Sequence, residues 1–299
     1  MKSSPPLLLM TNNKKCKVCS SLITIKDAYF GALDRFSTLS ETEIKIILSH
    51  INQVPFNELA LHYEEGAKNI DAFFSVCEKV NNGYPLQFAL GKSDFLSLEF
   101  IVDERVLIPR GETEELVLLI EKIIKEEGKN HPRIADICTG SGAIAISLKK
   151  RNLDLEVYAS DISSDALEVA RENIKFHQVD VRLLQGDALT PLIEAGIKVD
   201  YLVANPPYIN TNDYVGDNVR KYEPHLALFS NDKMVYKKIF TDIEKVMRTN
   251  VITLALEINE NEGKFMLEMV SALLGEKAHA KLIKDIHQRD RFILVRYHK

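Results

Sequence analysis

The sequence predicts an α/β protein, a doubly wound and largely parallel sheet preceded by a small helical bundle. Three observations carry that prediction. Short apolar runs at residues 134–137, 156–160, 181–184, 199–204 and 251–258 are bounded by turn residues, as buried strands are. Helical periods at 143–150, 164–177, 234–247 and 261–274 separate most of these runs, and strand–helix alternation builds parallel sheets with crossover helices. Upstream, residues 24–82 carry a helical period throughout.

Composition sets the outer limits. A chain of 299 residues with 45% hydrophobic content can bury one large core or two ordinary ones, which excludes disorder. The net charge of −5 gives no electrostatic footprint for gripping nucleic acid. Four cysteines in no recurring pattern fit a reducing compartment, so a cytoplasmic protein is expected. The apolar stretch at 5–10 is too short for a signal core, and no run of 18 apolar residues exists, so no membrane contact is expected. Residues 1–20 read as a poorly structured leader, in which either Met1 or Met10 serves as a start. Cys16 and Cys19 form a C-x-x-C there, but no second pair completes four ligands, and no metal site is expected.

The bundle occupies residues 21–83. A first helix spans 24–36, and Ser40 with Glu43 forms a capping box that opens a second at 44–51. Pro55 starts a third, running to Glu65. A fourth begins at Asn69 or Ile70 and reaches Val80, with Asn81-Asn82-Gly83 ending it. No titratable cluster lies within these helices, so their expected task is contact with a partner. Between 84 and 110 the period falls to two: 86–90, a turn at 91–94, and 95–102 read as a β-hairpin linker. Acidic residues then crowd the first turn of a helix ending at Glu127, where the helix dipole accounts for them without function. Arg110, just ahead of Glu112, has no such explanation. The sheet domain is expected over 111–299, closed by an antiparallel edge hairpin of 280–286 and 292–297.

The informative stretch is Asn205-Pro206-Pro207-Tyr208, where an apolar run stops at a rigid turn. Carboxyl ends of strands are where open α/β sheets hold ligands. Pro206 and Pro207 lack N–H groups and fix φ near about −65°, so the turn presents carbonyl oxygens in set directions. The side chain of Asn205 adds another acceptor, and Tyr208 offers a planar face. Two converging acceptors beside a ring suit a planar NH2 group, either an amide or an exocyclic amine.

Other strand ends add a second ligand. Asp136-Ile137-Cys138-Thr139-Gly140-Ser141-Gly142 runs straight into a helix, and its glycines let backbone approach a ligand. The spacing is not that of the dinucleotide fingerprint, and Asp136 would repel a pyrophosphate while suiting an ammonium group. Asp161, 25 residues beyond Asp136, is placed to accept from two ribose hydroxyls. Gly186-Asp187-Ala188 ends the third strand, where Asp187 can accept from an adenine amine. An adenosine with a positively charged amino-acid tail satisfies all three, and that ligand is S-adenosylmethionine.

This ordered set resembles the class I S-adenosylmethionine-dependent methyltransferase fold, a Rossmann-like mixed sheet of seven strands. Pro109-Arg110-x-Glu112-Thr113-Glu114, the Asp136 to Gly142 loop, Asn205-Pro206-Pro207-Tyr208-Ile209 and Tyr222-Glu223-Pro224-His225-Leu226-Ala227-Leu228-Phe229 together resemble the release factor glutamine methyltransferases, the HemK/PrmC family. The resemblance covers residues 24–297 and implies methylation of the side-chain amide of the glutamine in the Gly-Gly-Gln motif of peptide chain release factors, by a monomer. It implies that Asn205 and the carbonyl of Pro206 hold the glutamine NH2 while Tyr208 packs on the amide, with Pro207, Arg110 and Glu112 also on the substrate side. Asp136, Ile137, Cys138, Thr139, Gly140, Gly142, Asp161, Asp187, Ala188 and Asn205 would surround the cofactor. Three departures stand out. Cys138 replaces a usual glycine, Gly111 a common proline, and Arg248-Thr249-Asn250 a usual glycine pair. Rival expectations are an amino-methyltransferase acting on adenine in nucleic acid, which Asn-Pro-Pro-Tyr would suit equally, and a non-enzymatic interaction protein on the same scaffold.

Overall fold

The computed structural model of the chain describes residues 23–230 and 233–299, so the expected leader at 1–20 and the Cys16/Cys19 pair lie outside the described residues. Two compact units divide at Asn81/Asn82.

The first unit is helical: α1 (Ile25–Arg35), α2 (Glu41–Asn52), a 3-10 helix (Phe56–His62) and α3 (Ile70–Asn81). Ser40 caps α2 as a capping box, its hydroxyl accepting from Glu43 N while the Glu43 carboxylate accepts from Ser40 N. The helix therefore opens at Glu41, one turn ahead of the expected residue 44. Thr24 and Asp27 do the same for α1. Ile25, Ala28, Ile44, Ile47, Phe73 and Cys77 are buried in its core.

In the second unit, residues 86–90 form a short helix, α4 (Leu86–Leu90), instead of the first arm of a hairpin. Pro85 starts it and Gly91 ends it with φ 69°, so the alternating Leu86, Phe88 and Leu90 wind up, with only Phe88 buried. The hairpin is displaced into the expected turn: β1 (Lys92–Phe95) pairs antiparallel with β2 (Leu98–Ile101) across Leu96 and Ser97, both at positive φ. After α5 (Gly111–Glu127) come β3 (Arg133–Ile137), α6 (Ala143–Arg151), β4 (Glu156–Asp161), α7 (Ser164–His177), β5 (Val181–Gln185), α8 (Thr190–Glu194) and β6 (Tyr201–Ala204). Then follow α9 (Asp217–Tyr222), α10 (His225–Leu228), α11 (Met234–Asp242), β7 (Val251–Glu257), α12 (Gly263–Leu274), β8 (Ala278–Lys284) and β9 (Asp290–His298). The short helices α8, α9 and α10 had no sequence period long enough to announce them, and the helix expected over 234–247 tightens to 3-10 geometry after Asp242.

Seven strands form one sheet in the order β5-β4-β3-β6-β7-β9-β8. All neighbours from β5 to β7 are parallel, and β9 and β8 complete the sheet antiparallel. The fold is thus the mixed seven-stranded methyltransferase sheet, with apolar layers on both faces. Tyr236, Phe240, Leu202 and Leu254 contribute to one layer; Leu116, Ile120, Ile134 and Val203 contribute to the other. The β1/β2 hairpin is tied to this core. Asn173 of α7, fully buried, accepts from Ile101 N at 2.7 Å and donates to the carbonyls of Ile101 and Ser141.

Strand order reverses between β3 and β6, and parallel pairing brings five strand ends to one level. Ile137 pairs with Ala204, Ala204 with Leu256, and Asp161 with Gln185. The residues just beyond these partners face one crevice, where such sheets take ligands.

Candidate active site

A cavity of about 290 Å³ lies at that edge, near the lower limit of small-molecule sites. Its apolar wall includes Phe95, Pro109, Pro207, Ala227 and Val235, and its polar wall includes Arg110, Thr113, Thr139, Asp161, Asp187 and Asn205. Among the expected cofactor residues, Cys138, Thr139, Gly140, Asp161, Asp187, Ala188 and Asn205 reach the cavity. Asp136, Ile137 and Gly142 do not line it, nor do Pro206, Tyr208 and Glu112 of the expected substrate set.

Asp161 organises the β3 loop from the end of β4. Its Oδ2 accepts from Gly140 N at 2.9 Å and its Oδ1 from Ser163 N at 3.0 Å, which leaves lone pairs on both oxygens. Burial raises its pKa, opposed by the backbone N–H groups of Ser163, Gly140 and Ile162. Gly140 sits at φ 55°, and a Cβ built there would meet nothing within 4 Å, so the wall stays open beside it. Asp136 is fully buried beneath the loop; its Oδ2 accepts from Thr139 Oγ1 at 2.6 Å, and burial pushes its pKa to about 7. Among the described residues no hydrogen-bond partner meets its Oδ1, and the backbone N–H of Ala145 opposes the effect of burial.

Two cavity positions adopt left-handed backbone without glycine: Cys138 in the β3 loop at φ 61° and Ala188 after β5 at φ 49°. At Cys138, where the resemblance leads one to expect glycine, a Cβ is strained. Burial, with Asp161, Asp136 and Asp187 adding negative charge, pushes the Cys138 thiol well above its ordinary pKa. Asp187 reaches the cavity already paired with Lys238 of α11, so one of its oxygens is shared.

On the other side, Asn205 follows β6. Its Nδ2 donates to Thr113 Oγ1 at 3.0 Å, and Thr113 Oγ1 donates to Glu257 Oε2 at 2.8 Å. Glu257 ends β7 with 1% exposure, and Tyr208 OH donates to its Oε1 at 3.3 Å. Burial pushes this carboxyl to about 7, with Thr113 and Arg291 opposing. The carbonyl of Tyr208 accepts from Lys233, itself buried and paired with Glu262 at 2.9 Å.

Arg110 is not a free cation. It pairs with Glu223, buried at 4% exposure, whose other oxygen accepts from Ile108 N at 3.2 Å. Two motifs distant in sequence are therefore one contact. Sequence reasoning missed Thr113, Glu257, Lys233 and the Arg110 partner. Glu257 had a signal, a single acid inside the apolar run at 251–258; Thr113 and Glu223 stood inside motifs that carry the resemblance but without a role, and Lys233 had no signal. No cluster of His, Cys, Asp or Glu able to hold a metal occurs among the described residues, and no helix there is long and apolar enough to cross a membrane.

A family model, the methyltransferase small domain, matches residues 116–222. A release factor glutamine methyltransferase from Bacillus anthracis is 35% identical over 259 residues, covering 83% of this chain and 90% of its own. One of the same name from Bacillus subtilis strain 168 is 39% identical over 231 residues, covering 74% and 78%. Among solved structures, a protein-(glutamine-N5) methyltransferase (release factor-specific) from Alicyclobacillus acidocaldarius superposes with a TM-score of 0.42 at 23% identity, covering 67% of this chain and 100% of that one.

Proposed function

The chain belongs to the release factor glutamine methyltransferase family, and from that premise we propose that it methylates the side-chain amide nitrogen, N5, of the glutamine in the Gly-Gly-Gln motif of peptide chain release factors. What supports the reading most is Asn205: with its Nδ2 held by Thr113, its Oδ1 is left as an acceptor beside a turn of two prolines.

Residues at the first three strand ends fit S-adenosylmethionine as the donor. Asp161 keeps lone pairs for two ribose hydroxyls, Gly140 leaves the wall open, and acids Asp136, Asp161 and Asp187 make the surroundings favourable to a cation. Asp187 has one oxygen left for an adenine amine while Lys238 holds the other. When bound, S-adenosylmethionine supplies the methyl group.

An amide nitrogen is a weak nucleophile because its lone pair is delocalised into the carbonyl. Asn205 Oδ1 and the Pro206 carbonyl would accept from both N–H bonds, fixing the nitrogen in line and stabilising the positive charge that grows on it. Tyr208 does not line the cavity, but it is anchored at both its hydroxyl and its carbonyl, and its ring would pack on an amide seated beside Pro207. No strong base is required, since the nitrogen becomes acidic as it gains the methyl and releases its proton. We assign contact with the rest of the release factor to the helical unit, whose Phe30, Phe56 and Leu61 are exposed.

The test is transfer of a labelled methyl group to an intact release factor, a short Gly-Gly-Gln peptide, DNA and RNA, by the full chain and by residues 82–299. Label in the glutamine of the intact factor is expected, with the shorter chain much slower on that substrate alone. Label in nucleic acid would overturn the reading in favour of an adenine methyltransferase. Equal rates of the two chains on the intact factor would remove the helical unit from recognition.

A further inference from the structure

We propose that Thr113 and Glu257 form a positioning relay that fixes which end of the Asn205 amide faces the substrate. The inference rests on the reading of Asn205 as acceptor for the glutamine amide, and it adds two residues and a polarity to that reading.

The argument is a count of protons. Thr113 has one hydroxyl hydrogen and two lone pairs. An ionised Glu257 can only accept, and its Oε2 lies 2.8 Å from Thr113 Oγ1, so that hydrogen is committed to the carboxylate. Thr113 can then only accept from Asn205, whose Nδ2 is 3.0 Å away. With Nδ2 turned to Thr113, Oδ1 takes the opposite side, where an NH2 group can donate to it. The reversed amide would need the Thr113 hydrogen for itself, and would strip a buried carboxylate oxygen of its donor.

The far end of the relay is held from three elements. Tyr208 OH donates to Glu257 Oε1 at 3.3 Å, and Tyr236 OH of α11 donates to the Glu257 carbonyl at 2.6 Å. Arg291 of β9 acts through space to favour the ionised carboxylate, and Glu112 of α5 acts against it. A protonated Glu257 breaks the logic. Its O–H can donate to Thr113, whose hydrogen is then free for Asn205, and the amide can reverse.

The relay therefore carries a pH signature. Burial holds Glu257 near about 7, so the ionised form that sets the relay prevails above that pH and fades below it. Turnover should fall on the acid side. Asp136 is pushed to the same range from beneath the cofactor loop, so the measurement needs a variant that removes one source alone.

The experiment measures kcat against pH with the full chain, an intact release factor and saturating S-adenosylmethionine, for the unchanged protein, Glu257→Gln, Thr113→Val, Thr113→Ser and Asn205→Ala. Cofactor Kd is followed by calorimetry. Thr113→Val and Glu257→Gln should each lower kcat by about tenfold or more, the lower scale of a lost transition-state contact, with cofactor Kd unchanged. Glu257→Gln should also remove its share of the acid limb, leaving any part due to Asp136, and Thr113→Ser should recover most of what Thr113→Val loses. The relay is overturned if either Thr113→Val or Glu257→Gln turns over normally, if the acid limb of Glu257→Gln matches that of the unchanged protein in both midpoint and depth, or if Thr113→Ser is no better than Thr113→Val. Should Glu257→Gln fail to fold, the Val/Ser pair at Thr113 decides alone. Full activity of Asn205→Ala would instead sink the underlying reading, and an inactive Asn205→Ala beside an unimpaired Thr113→Val would sink the relay only.

Discussion

The two ends of the cavity are built in different ways. At the cofactor end, bonds join neighbours in sequence: Thr139 to Asp136 three residues apart, Ser163 to Asp161 two apart, and Gly140 to Asp161 across 21. At the substrate end, side chains reach across the fold: Asn205 to Thr113 over 92 residues, Thr113 to Glu257 over 144, and Arg110 to Glu223 over 113. The cofactor end thus takes most of its shape from two adjacent strand–loop–helix units, with Lys238 of α11 reaching Asp187 from farther off. The substrate end exists only when α5, β6, β7 and the loop before α10 have met. Loss of a side chain at the substrate end should therefore disturb orientation, and loss at the cofactor end should disturb the loop itself.

Asn205→Ala is expected to have the largest effect. It removes the acceptor aimed at the reacting nitrogen but leaves Asp161, Gly140 and the β3 loop untouched. Turnover should fall by on the order of a hundredfold or more, the scale of a lost transition-state hydrogen bond. Cofactor affinity should hardly move. Parallel losses of turnover and cofactor affinity would mean that the two ends are not separable.

Asp161→Ala comes next, and here the ends should behave in opposite ways. The substitution takes acceptors from a ligand and also orphans Gly140 N and Ser163 N, both bonded to this carboxylate. Each hydrogen bond to a charged group is worth roughly 1.5–3 kcal/mol, so calorimetry should show cofactor binding at least tenfold weaker. Unchanged affinity would mean that Asp161 serves the loop alone.

The same contrast explains what was legible in the sequence. Strands β3 to β7 were readable because each run is mostly apolar and ends near a polar or turn residue, and Asp161, Asp187 and Asn205 could be named because each stands at or just past such an end. Leu86 to Leu90 misled because five residues satisfy a period of two and a single helical turn equally, and Pro85 and Gly91 decided for the helix. Glu257 was passed over because the apolar run at 251–258 reads straight through it. Thr113 offered nothing locally. A threonine in the first turn of an acidic helix is ordinary, and its meaning lies in partners 92 and 144 residues away. Arg110 was noticed as unexplained, but its partner Glu223 is fixed by packing that no local pattern encodes.

The smallest expected effect tests whether the cofactor end is shaped by backbone, as the comparison holds. Cys138 is held at φ 61°, a region that costs an L-residue roughly 1–2 kcal/mol. In ordinary extended or helical backbone, Gly is less stable than Ala by roughly 0.5–1 kcal/mol, because it loses more freedom on folding. At position 138 the order should reverse. Cys138→Ala keeps the Cβ strain and loses the thiol packing, whereas Cys138→Gly loses both, so the difference between the two variants isolates the backbone term. Denaturant unfolding should place Cys138→Gly above Cys138→Ala by up to about 1.5 kcal/mol, the strain relieved less the added chain entropy. Cofactor affinity of Cys138→Gly should equal or exceed that of the unchanged protein, since the Gly140 and Asp161 contacts are kept. If Ala proves the more stable, the left-handed turn is not enforced by the fold, and the β3 loop owes its shape to the bound ligand.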